Sequence, residues 1–174
     1  MSKKDFAIDE EIEKFHIPRW EEIPQIDLYI DQVVSYLENY LSNYIESGEE
    51  KENKIITKTM INNYVKLGIM PAPEKKKYSK SHIAYLMVIC ILKQVHSIGD
   101  IGKLISETIA YFELSKAYNR FCANIEVSIK NVFFRKEFPH IDKMTEEQYL
   151  LKNVVQAVAD KLYVEMKFLN KDKN

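Results

Sequence analysis

The stretch that decides the fold spans residues 57–105 and reads TKTMINNYVKLGIMPAPEKKKYSKSHIAYLMVICILKQVHSIGDIGKLI. Apolar residues recur in it at intervals of three and four, which is typical of amphipathic helices. Capping and helix-stopping residues divide it into three predicted helices. Thr57 caps the first helix and Gly68 stops it, Ser79 or Ser81 caps the second, and Ser97 with Asp100 starts the third.

The second of these helices is apolar almost all round, so we expect it at the centre of the core. Its unbroken apolar run, Ile83 to Leu92, has half of the roughly 20 residues that a bilayer span needs. The N-terminus, MSKKDFAIDEEIEKF, carries acids where a signal peptide needs an apolar segment. We therefore expect a cytoplasmic protein with no membrane partner.

The flanking sequence divides the chain into three regions. Residues 1–25 form an N-terminal arm, in which Trp20 either pins the arm against the body or belongs to a partly ordered tail. Residues 26–112 form a central helical domain that contains the deciding stretch. Residues 113–174 form a C-terminal helical region that packs on the domain or serves in dimerisation.

Three more helices are predicted in these flanking regions by their apolar periodicity. They run from an N-cap at Asp27 to Ser47-Gly48, over residues 113–138 before Pro139, and onward from Thr145, which forms a capping box with Gln148. Only residues 75–79 are suited to a small hairpin. The predicted fold class is therefore all-α.

Charge is distributed unevenly along the chain. Residues 1–53 hold five basic and fourteen acidic groups, residues 54–103 hold nine and two, and residues 104–174 hold eleven and ten. The net charge of -1 for the whole chain therefore conceals a basic segment. Such asymmetry indicates an anionic partner, either nucleic acid or a membrane surface.

The helix that follows Thr57 has two distinct faces. At about 100 degrees per residue, apolar side chains fall on one half and lysines and polar side chains on the other. The polar half comprises Lys58, Thr59, Asn62, Asn63 and Lys66. Asparagine pairs with an adenine edge, and lysine meets guanine acceptors or phosphate. We predict that this face contacts DNA, with an ordinary solvated face as the alternative.

A second group of lysines follows in PAPEKKKYSK, residues 71–80, where two prolines fix an extended path. Neutralising phosphates with release of counterions is a common reason to hold lysines together. Basic loops also serve as solubility devices, but the polar helix face nearby favours phosphate contacts. The predicted DNA-binding residues of this segment are Lys75, Lys76, Lys77, Tyr78 and Lys80.

Several residues of this region match the pattern of MerR-type regulators. The matching positions are Tyr64, Gly68, Ile69, Pro71, Tyr78, Ser79, Ser97 and Ile101. Residues 17–150 are more similar still to an uncharacterised bacterial family of MerR-like proteins, the domain of unknown function DUF1836. The resemblance implies a winged helix-turn-helix fold and DNA binding.

The chain departs from the MerR pattern at several points. Asn62 stands where the recognition helix usually carries an arginine, and the wing is shorter and lacks its glycine turn. The loop over residues 46–54 is longer than a tight helix-turn-helix turn. No effector-binding cysteines and no long heptad helix follow Ile105, so neither metal sensing nor the family's coiled-coil dimer carries over. Only the short, degenerate wing at residues 75–77 remains.

Few residues point to catalysis. The four histidines are scattered without metal spacing, and His82 and His96 flank the buried helix, where a cap or surface role is expected. There is no phosphate-binding glycine loop, nucleophile motif or Cys-x-x-Cys. Cys90 and Cys122 are interpreted as reduced, packed thiols. We therefore expect a protein that is not an enzyme, with no catalytic residues, no cofactor and no metal.

These observations predict a DNA-binding transcriptional regulator in which the helix that follows Thr57 enters the major groove of double-stranded DNA. The alternative is a protein–protein interaction module that reuses the helix-turn-helix fold, since fold does not fix function. The position of the lysines discriminates between them. One contiguous face beside Asn62 favours DNA, whereas dispersed lysines favour a protein partner.

The last predicted helix offers an apolar stripe for a second copy. The stripe comprises Leu150, Leu151, Val154, Val155, Val158, Leu162 and Met166. This is more apolar surface than a short domain is expected to cover. We hypothesise a homodimer through the C-terminal helices, because paired DNA-binding modules occupy two half-sites.

Overall fold

The computed structural model describes residues 3–45, 54–136 and 143–169. Its elements are α1 (Lys3–Glu13), a 3₁₀ turn (Trp20–Glu22), β1 (Leu28–Tyr29), α2 (Ile30–Leu41), α3 (Lys58–Lys66), β2 (Lys77–Tyr78), α4 (Lys80–Leu92), α5 (Ile98–Tyr111), α6 (Leu114–Phe133), α7 (Glu146–Val164) and a π-helical turn (Glu165–Leu169). Helices dominate, and β1 pairs antiparallel with β2 in a two-stranded sheet. The broad all-α class is confirmed.

Side-chain caps start three of these helices where the sequence predicts. A hydroxyl accepts a hydrogen bond from a backbone N–H three residues on, which satisfies a donor that the first turn leaves unpaired. The pairs are Thr57 with Met60, Ser97 with Asp100, and Thr145 with Gln148. Of the two serines proposed for α4, Ser79 is the N-cap.

The start predicted for α2 is wrong. Asp27 is not the cap; Tyr29 is, and its N–H donates to Gln32 Oε1 at 2.9 Å. The helix starts later because Leu28 and Tyr29 first pair with β2 as a strand. Helices α2 and α6 end earlier than predicted, at Leu41 and Phe133. The predicted end points, Ser47-Gly48 and Pro139, lie outside the described residues.

One compact unit comprises Pro18–Asn119 and is built around α4. Ten of the thirteen residues of α4 are buried, which confirms its predicted central position. Each buried aliphatic side chain of this kind contributes about 1.5–3 kcal/mol of hydrophobic stabilisation. Neighbouring helices add the buried residues Val33, Leu37, Leu41, Ile61, Tyr64, Ile101 and Ile105.

A carboxylate of α2 fixes the approach to α3. Glu38 Oε1 accepts hydrogen bonds from the N–H groups of Ile55 at 2.8 Å and Ile56 at 3.2 Å. Both isoleucines are buried. Their backbone donors therefore find a partner inside the unit, as buried polar groups require.

The second unit comprises the described parts of residues 1–17 and 120–174. It contains α1, a helix within the region that the sequence predicts as an N-terminal arm. Ile12, Phe15 and Ile17 are buried there, and Glu126 Oε1 accepts the Ile17 N–H at 2.7 Å. Lys167 Nζ of the π-helical turn lies 2.7 Å from Asp9 Oδ1. The three-part division expected from the sequence stays a prediction.

None of the helices in the described ranges combines the length and the apolar character that a bilayer span requires.

Candidate functional site

Helix α3 owes its length to signals at both ends. Thr57 caps its start, and Gly68 follows its last turn with a φ of +72 degrees. The Gly68 N–H donates to Val65 O, and the Ile69 N–H donates to Tyr64 O, both at 3.0 Å. This is a Schellman motif, so the left-handed glycine cap predicted at this position is confirmed.

The two faces of α3 separate as predicted. Ile61 and Tyr64 are buried, whereas the residues of the opposite face, hereafter the polar face, are all exposed: Lys58, Thr59, Asn62, Asn63 and Lys66. Leu67 departs from the prediction. The helical period places Leu67 on the apolar half. Leu67 is instead the C-cap, beyond the last helical residue, and it is 55% exposed.

Lys75 and Lys76 occupy a two-residue hairpin turn, in the segment that the sequence suits to a small hairpin, but with a backbone conformation that lysine disfavours. Their φ angles are +46 and +63 degrees, and the Lys77 N–H donates to Glu74 O at 2.8 Å. Positive φ at both central residues is the pattern of a type I′ turn, which prefers Asn-Gly. A left-handed conformation costs a residue with a Cβ roughly 1–2 kcal/mol. Two lysines are therefore held where glycine would be relaxed.

The first turn of α2 links the two groups of lysines. Lys58 Nζ lies 2.5 Å from Asp31 Oδ1. Lys77 Nζ lies 5.6 Å from the ring centre of Tyr29, and Tyr29 also faces Lys77 across the β1–β2 pair. Because Tyr29 and Asp31 are separated by a single residue, the start of α3 and residues 75–77, hereafter the lysine turn, both approach the same end of α2.

Tyr29 and Asp31 could not be identified from the sequence. They belong to neither the predicted recognition helix nor the predicted wing. Their role in the site depends on the β1–β2 register and on the packing of α2 against α3 and β2. Pairing of so short a strand leaves no alternating pattern in the sequence.

The other two predicted site residues, Tyr78 and Lys80, differ in exposure from the lysine turn. Tyr78 is buried, its ring lies edge-on to that of His82 at 5.5 Å between centres, and burial raises the pKa of its hydroxyl. Lys80 is half-buried, with Nζ 5.3 Å from the ring centre of Trp20. Such a cation–π contact contributes about 0.5–1 kcal/mol at an exposed site.

Trp20 is itself fixed in place by the start of α6. The backbone N–H of Trp20 donates to Asn119 Oδ1 at 2.7 Å. The Trp20 ring meets the ring of Tyr118 edge-on, with 6.4 Å between the ring centres. The Tyr118 hydroxyl donates to Pro18 O at 2.8 Å. Of the two interpretations left open by the sequence, the structure therefore has Trp20 pinned.

The chain between α3 and the lysine turn is tied to α4 and α5. His82 Nδ1 accepts the Ser79 N–H at 3.0 Å, and Nε2 lies 3.3 Å from Ala72 O. This ring completes the cap of α4, which is one of the two roles expected of His82. On α5, a Cβ added to Gly102 would lie 3.2 Å from Ile69 Cγ1, so glycine permits this close approach.

The site offers cationic and hydrogen-bonding groups. Among the described residues, no group of three or more His, Cys, Asp or Glu side chains is placed to hold a metal ion. Cys90 and Cys122 are buried, as expected of packed thiols, and burial raises the pKa of Cys90 to about 12. That thiol therefore stays protonated near neutral pH.

The comparisons with known proteins locate the family relationship in one unit. A family model described as a domain of unknown function (DUF1836) matches residues 18–121. This range nearly coincides with the compact unit Pro18–Asn119, which carries the polar face and the lysine turn. Neither the curated proteins nor the solved structures contain a match.

Proposed function

The chain belongs to the DUF1836 family, and we propose that it binds double-stranded DNA as a transcriptional regulator with a MerR-like winged helix-turn-helix. In this proposal α2 and α3 are the helix-turn-helix pair. The lysine turn and the β1–β2 pair, whose strand β2 begins at Lys77, are a short wing. The fully exposed polar face and the strained lysine turn support this assignment.

The observation that carries the proposal is the meeting of two lysine groups at the start of α2. Lys58 contacts Asp31, and Lys77 lies over Tyr29. Lysines separated in the sequence are thereby directed toward one edge of a unit. A duplex carries one negative charge per about 1.7 Å of its axis, so neighbouring cations on one edge can meet successive phosphates.

The two groups take different roles in the complex. Amides and lysines on the polar face enter the major groove, where Asn62 and Asn63 meet base edges. The lysine turn meets flanking phosphates, which position a protein without specifying a sequence. Lys66 and Thr59 extend the polar face. Buried Tyr78 supports the wing from behind rather than touching DNA, and Lys80 reaches phosphate from its position over Trp20.

A selection experiment tests the base-reading role of Asn62. Target sites are selected from random duplexes, and the wild-type protein is compared with Asn62→Ala. Removal of the two hydrogen bonds to adenine reduces discrimination at one or two base pairs by about 1–3 kcal/mol, while nonspecific affinity is kept because the lysines remain. The matched control is Asn39→Ala, which removes an exposed asparagine from α2.

The outcomes separate base reading from nonspecific attraction. Asn62 is exposed, so folding should change by no more than about 0.5 kcal/mol in the variant. If selection yields no preferred site, or if Asn62→Ala keeps the full preference of the wild type, Asn62 does not read bases. A chain that binds no duplex at low salt overturns the DNA-binding proposal itself.

A protein-interaction module is the second candidate, and exposed apolar side chains favour it. Leu67 lies at the end of α3, Ile26 lies just before β1, and Tyr29 lies in β1, which pairs with β2. All three residues are exposed. Aromatic residues are enriched in protein interfaces. In this alternative the lysines bind an acidic protein. Titration of the chain with duplex DNA then shows only weak, sequence-independent binding.

A further inference from the structure

One imidazole ring connects the chain on both sides of the lysine turn. His82 Nδ1 accepts the Ser79 N–H at 3.0 Å and lies 2.8 Å from Ser79 Oγ. His82 Nε2 lies 3.3 Å from Ala72 O. Ala72 precedes the lysine turn, and Ser79 directly follows β2. A single side chain of α4 therefore holds both ends of the loop that carries residues 75–77, and we call this connection the His82 clamp.

The two backbone partners fix the protonation state of the ring. A backbone N–H can only donate a hydrogen bond, so Nδ1 of His82 accepts from Ser79 and carries no proton. A backbone carbonyl oxygen can only accept, so the proton of the neutral ring lies on Nε2 and is donated to Ala72 O. Both ends of the clamp thus require the same form, the neutral ring with its proton on Nε2.

A protonated ring does not fit this position. Both of its nitrogens carry protons, so Nδ1 would set a donor against the Ser79 N–H. The Ser79 hydroxyl can accept from the charged ring, but the backbone N–H loses its partner. His82 is also the third residue of α4, where a positive charge opposes the helix dipole. Only 7% of His82 is exposed, so water compensates little for the lost bond.

The surroundings of the ring supply no compensating negative charge through any contact among the described residues. On the β2 side, the ring of Tyr78 lies edge-on to His82 at 5.5 Å between centres. Helices α2 and α5 also pack against α4. Their acids bind elsewhere: Asp31 to Lys58, Glu38 to the N–H groups of residues 55 and 56, and Asp100 to Ser97 and Lys103. The loop itself carries Glu74 and three lysines, all exposed, so its net charge is positive.

We propose that His82 is a positioning residue for the wing, which its neutral ring holds in place and its protonation releases. This inference rests on the proposed function, in which the lysine turn contacts phosphates. Folding with a closed clamp excludes the proton from Nδ1, so the stability that the clamp contributes is present in the neutral form and is lost as the pH falls. Release is expected within the range of about pH 5 to 8 in which histidine ordinarily titrates.

Hydrogen exchange in the full-length protein, without DNA, tests the clamp itself. The Ser79 N–H donates to the ring, and the Lys77 N–H closes the turn on Glu74 O at 2.8 Å. From about pH 8 to about pH 5, protection of both amides, corrected for intrinsic exchange, should fall roughly two- to tenfold, the worth of one hydrogen bond. In His82→Gln it should stay constant, because glutamine at this place in a capping box accepts the same N–H and does not titrate.

His96→Gln is the matched control. His96 is half-buried just after α4 and lies outside the clamp, so this variant should keep the pH dependence of the wild type. His82→Ala removes both ends of the clamp and should show low protection of the two amides at either pH. Protection that does not change with pH in the wild type, or that falls equally in His82→Gln, overturns the proposal.

Duplex titrations separate the clamp from the function proposed for the wing. If the lysine turn contacts phosphates, acidification should weaken DNA binding by the wild type severalfold relative to His82→Gln, in parallel with the loss of amide protection. A response of the amides to His82, with equal duplex binding by the two proteins at both pH values, supports the clamp and overturns the role of the wing in DNA binding.

Discussion

The polar face of α3 and the lysine turn carry the same kind of side chain on very different backbones. Lys58 and Lys66 lie at helical positions, which any lysine adopts without strain. Lys75 and Lys76 lie at positive φ, where a lysine is strained by roughly 1–2 kcal/mol. Within one unit, lysines are thus present both where the backbone favours them and where it opposes them.

The difference indicates that a residue can be kept in a turn for its side chain even where its backbone prefers another conformation. A turn of Asn-Gly would join Glu74 and Lys77 more stably, because both residues tolerate positive φ. Strained residues persist where the surrounding structure fixes them, and they cluster at functional sites. The lysine turn is therefore better explained by its side chains than by its backbone.

The largest effect is expected from removing the charges of the lysine turn. Lys75→Ala, Lys76→Ala and Lys77→Ala together should weaken binding to every duplex alike, because phosphate contacts carry no sequence information. The slope of log affinity against log salt should fall by up to about 2.7, or about 0.9 for each phosphate that is no longer neutralised. Fluorescence anisotropy titrations at several salt concentrations measure the slope.

The control variant removes the same number of positive charges from a different part of the chain. Lys116, Lys136 and Lys143 are exposed and lie outside the proposed site. Their triple alanine variant should leave the slope nearly unchanged. An equal fall in both triple variants would mean that net charge alone attracts the DNA, and the comparison between turn and helix would lose its functional meaning.

A smaller effect separates strain from charge. Lys75→Asn with Lys76→Gly should raise the free energy of unfolding by about 1–3 kcal/mol, because Asn-Gly suits a type I′ turn. The same double variant should bind DNA less tightly, since two charges are removed. Urea denaturation measures the stability.

The partner variant in this test is Lys75→Ala with Lys76→Ala. It removes the same charges but keeps residues with a Cβ at positive φ. It should therefore match the Asn-Gly variant in affinity and the wild type in stability. Equal stability of all three proteins would show that the turn holds no strain.

The smallest effect concerns Asp31, the carboxylate that contacts Lys58 at the start of α3. Asp31→Asn removes an acid that competes with phosphate for Lys58 and repels the duplex. An exposed ion pair contributes at most about 1 kcal/mol. Affinity should therefore rise only severalfold, most visibly at low salt, in the same anisotropy titrations. Unchanged or weaker binding would mean that Lys58 does not contact the duplex.

Helix caps and faces of this chain could be predicted because each depends on residues close in sequence. Thr57, Ser97 and Thr145 start their helices through bonds to residues three positions on. The cap at Gly68 could be predicted because glycine adopts a positive φ without steric cost. The exposure of Asn62 and the burial of Ile61 follow from the helical period alone.

Features that depend on distant residues were missed or misassigned. The predicted cap at Asp27 is wrong because nothing local shows that Leu28 and Tyr29 pair with residues 77 and 78. No helix is predicted over Lys3–Glu13, because its acidic sequence gives only a weak apolar periodicity. Val155, Val158 and Leu162 belong to the stripe predicted for a dimer but are buried, because composition does not reveal which face the rest of the chain covers.

The sequence by itself determined the mostly helical class, the caps, the polar face of α3 and the basic segment, because capping, periodicity and charge are properties of neighbouring residues. Only the tertiary structure decided that two lysine groups meet at the start of α2, that Lys75 and Lys76 are left-handed, and which residues of α7 are buried. Strand register and the packing of helices far apart in the chain fix these features. No local preference records such contacts, because they form only when the chain folds.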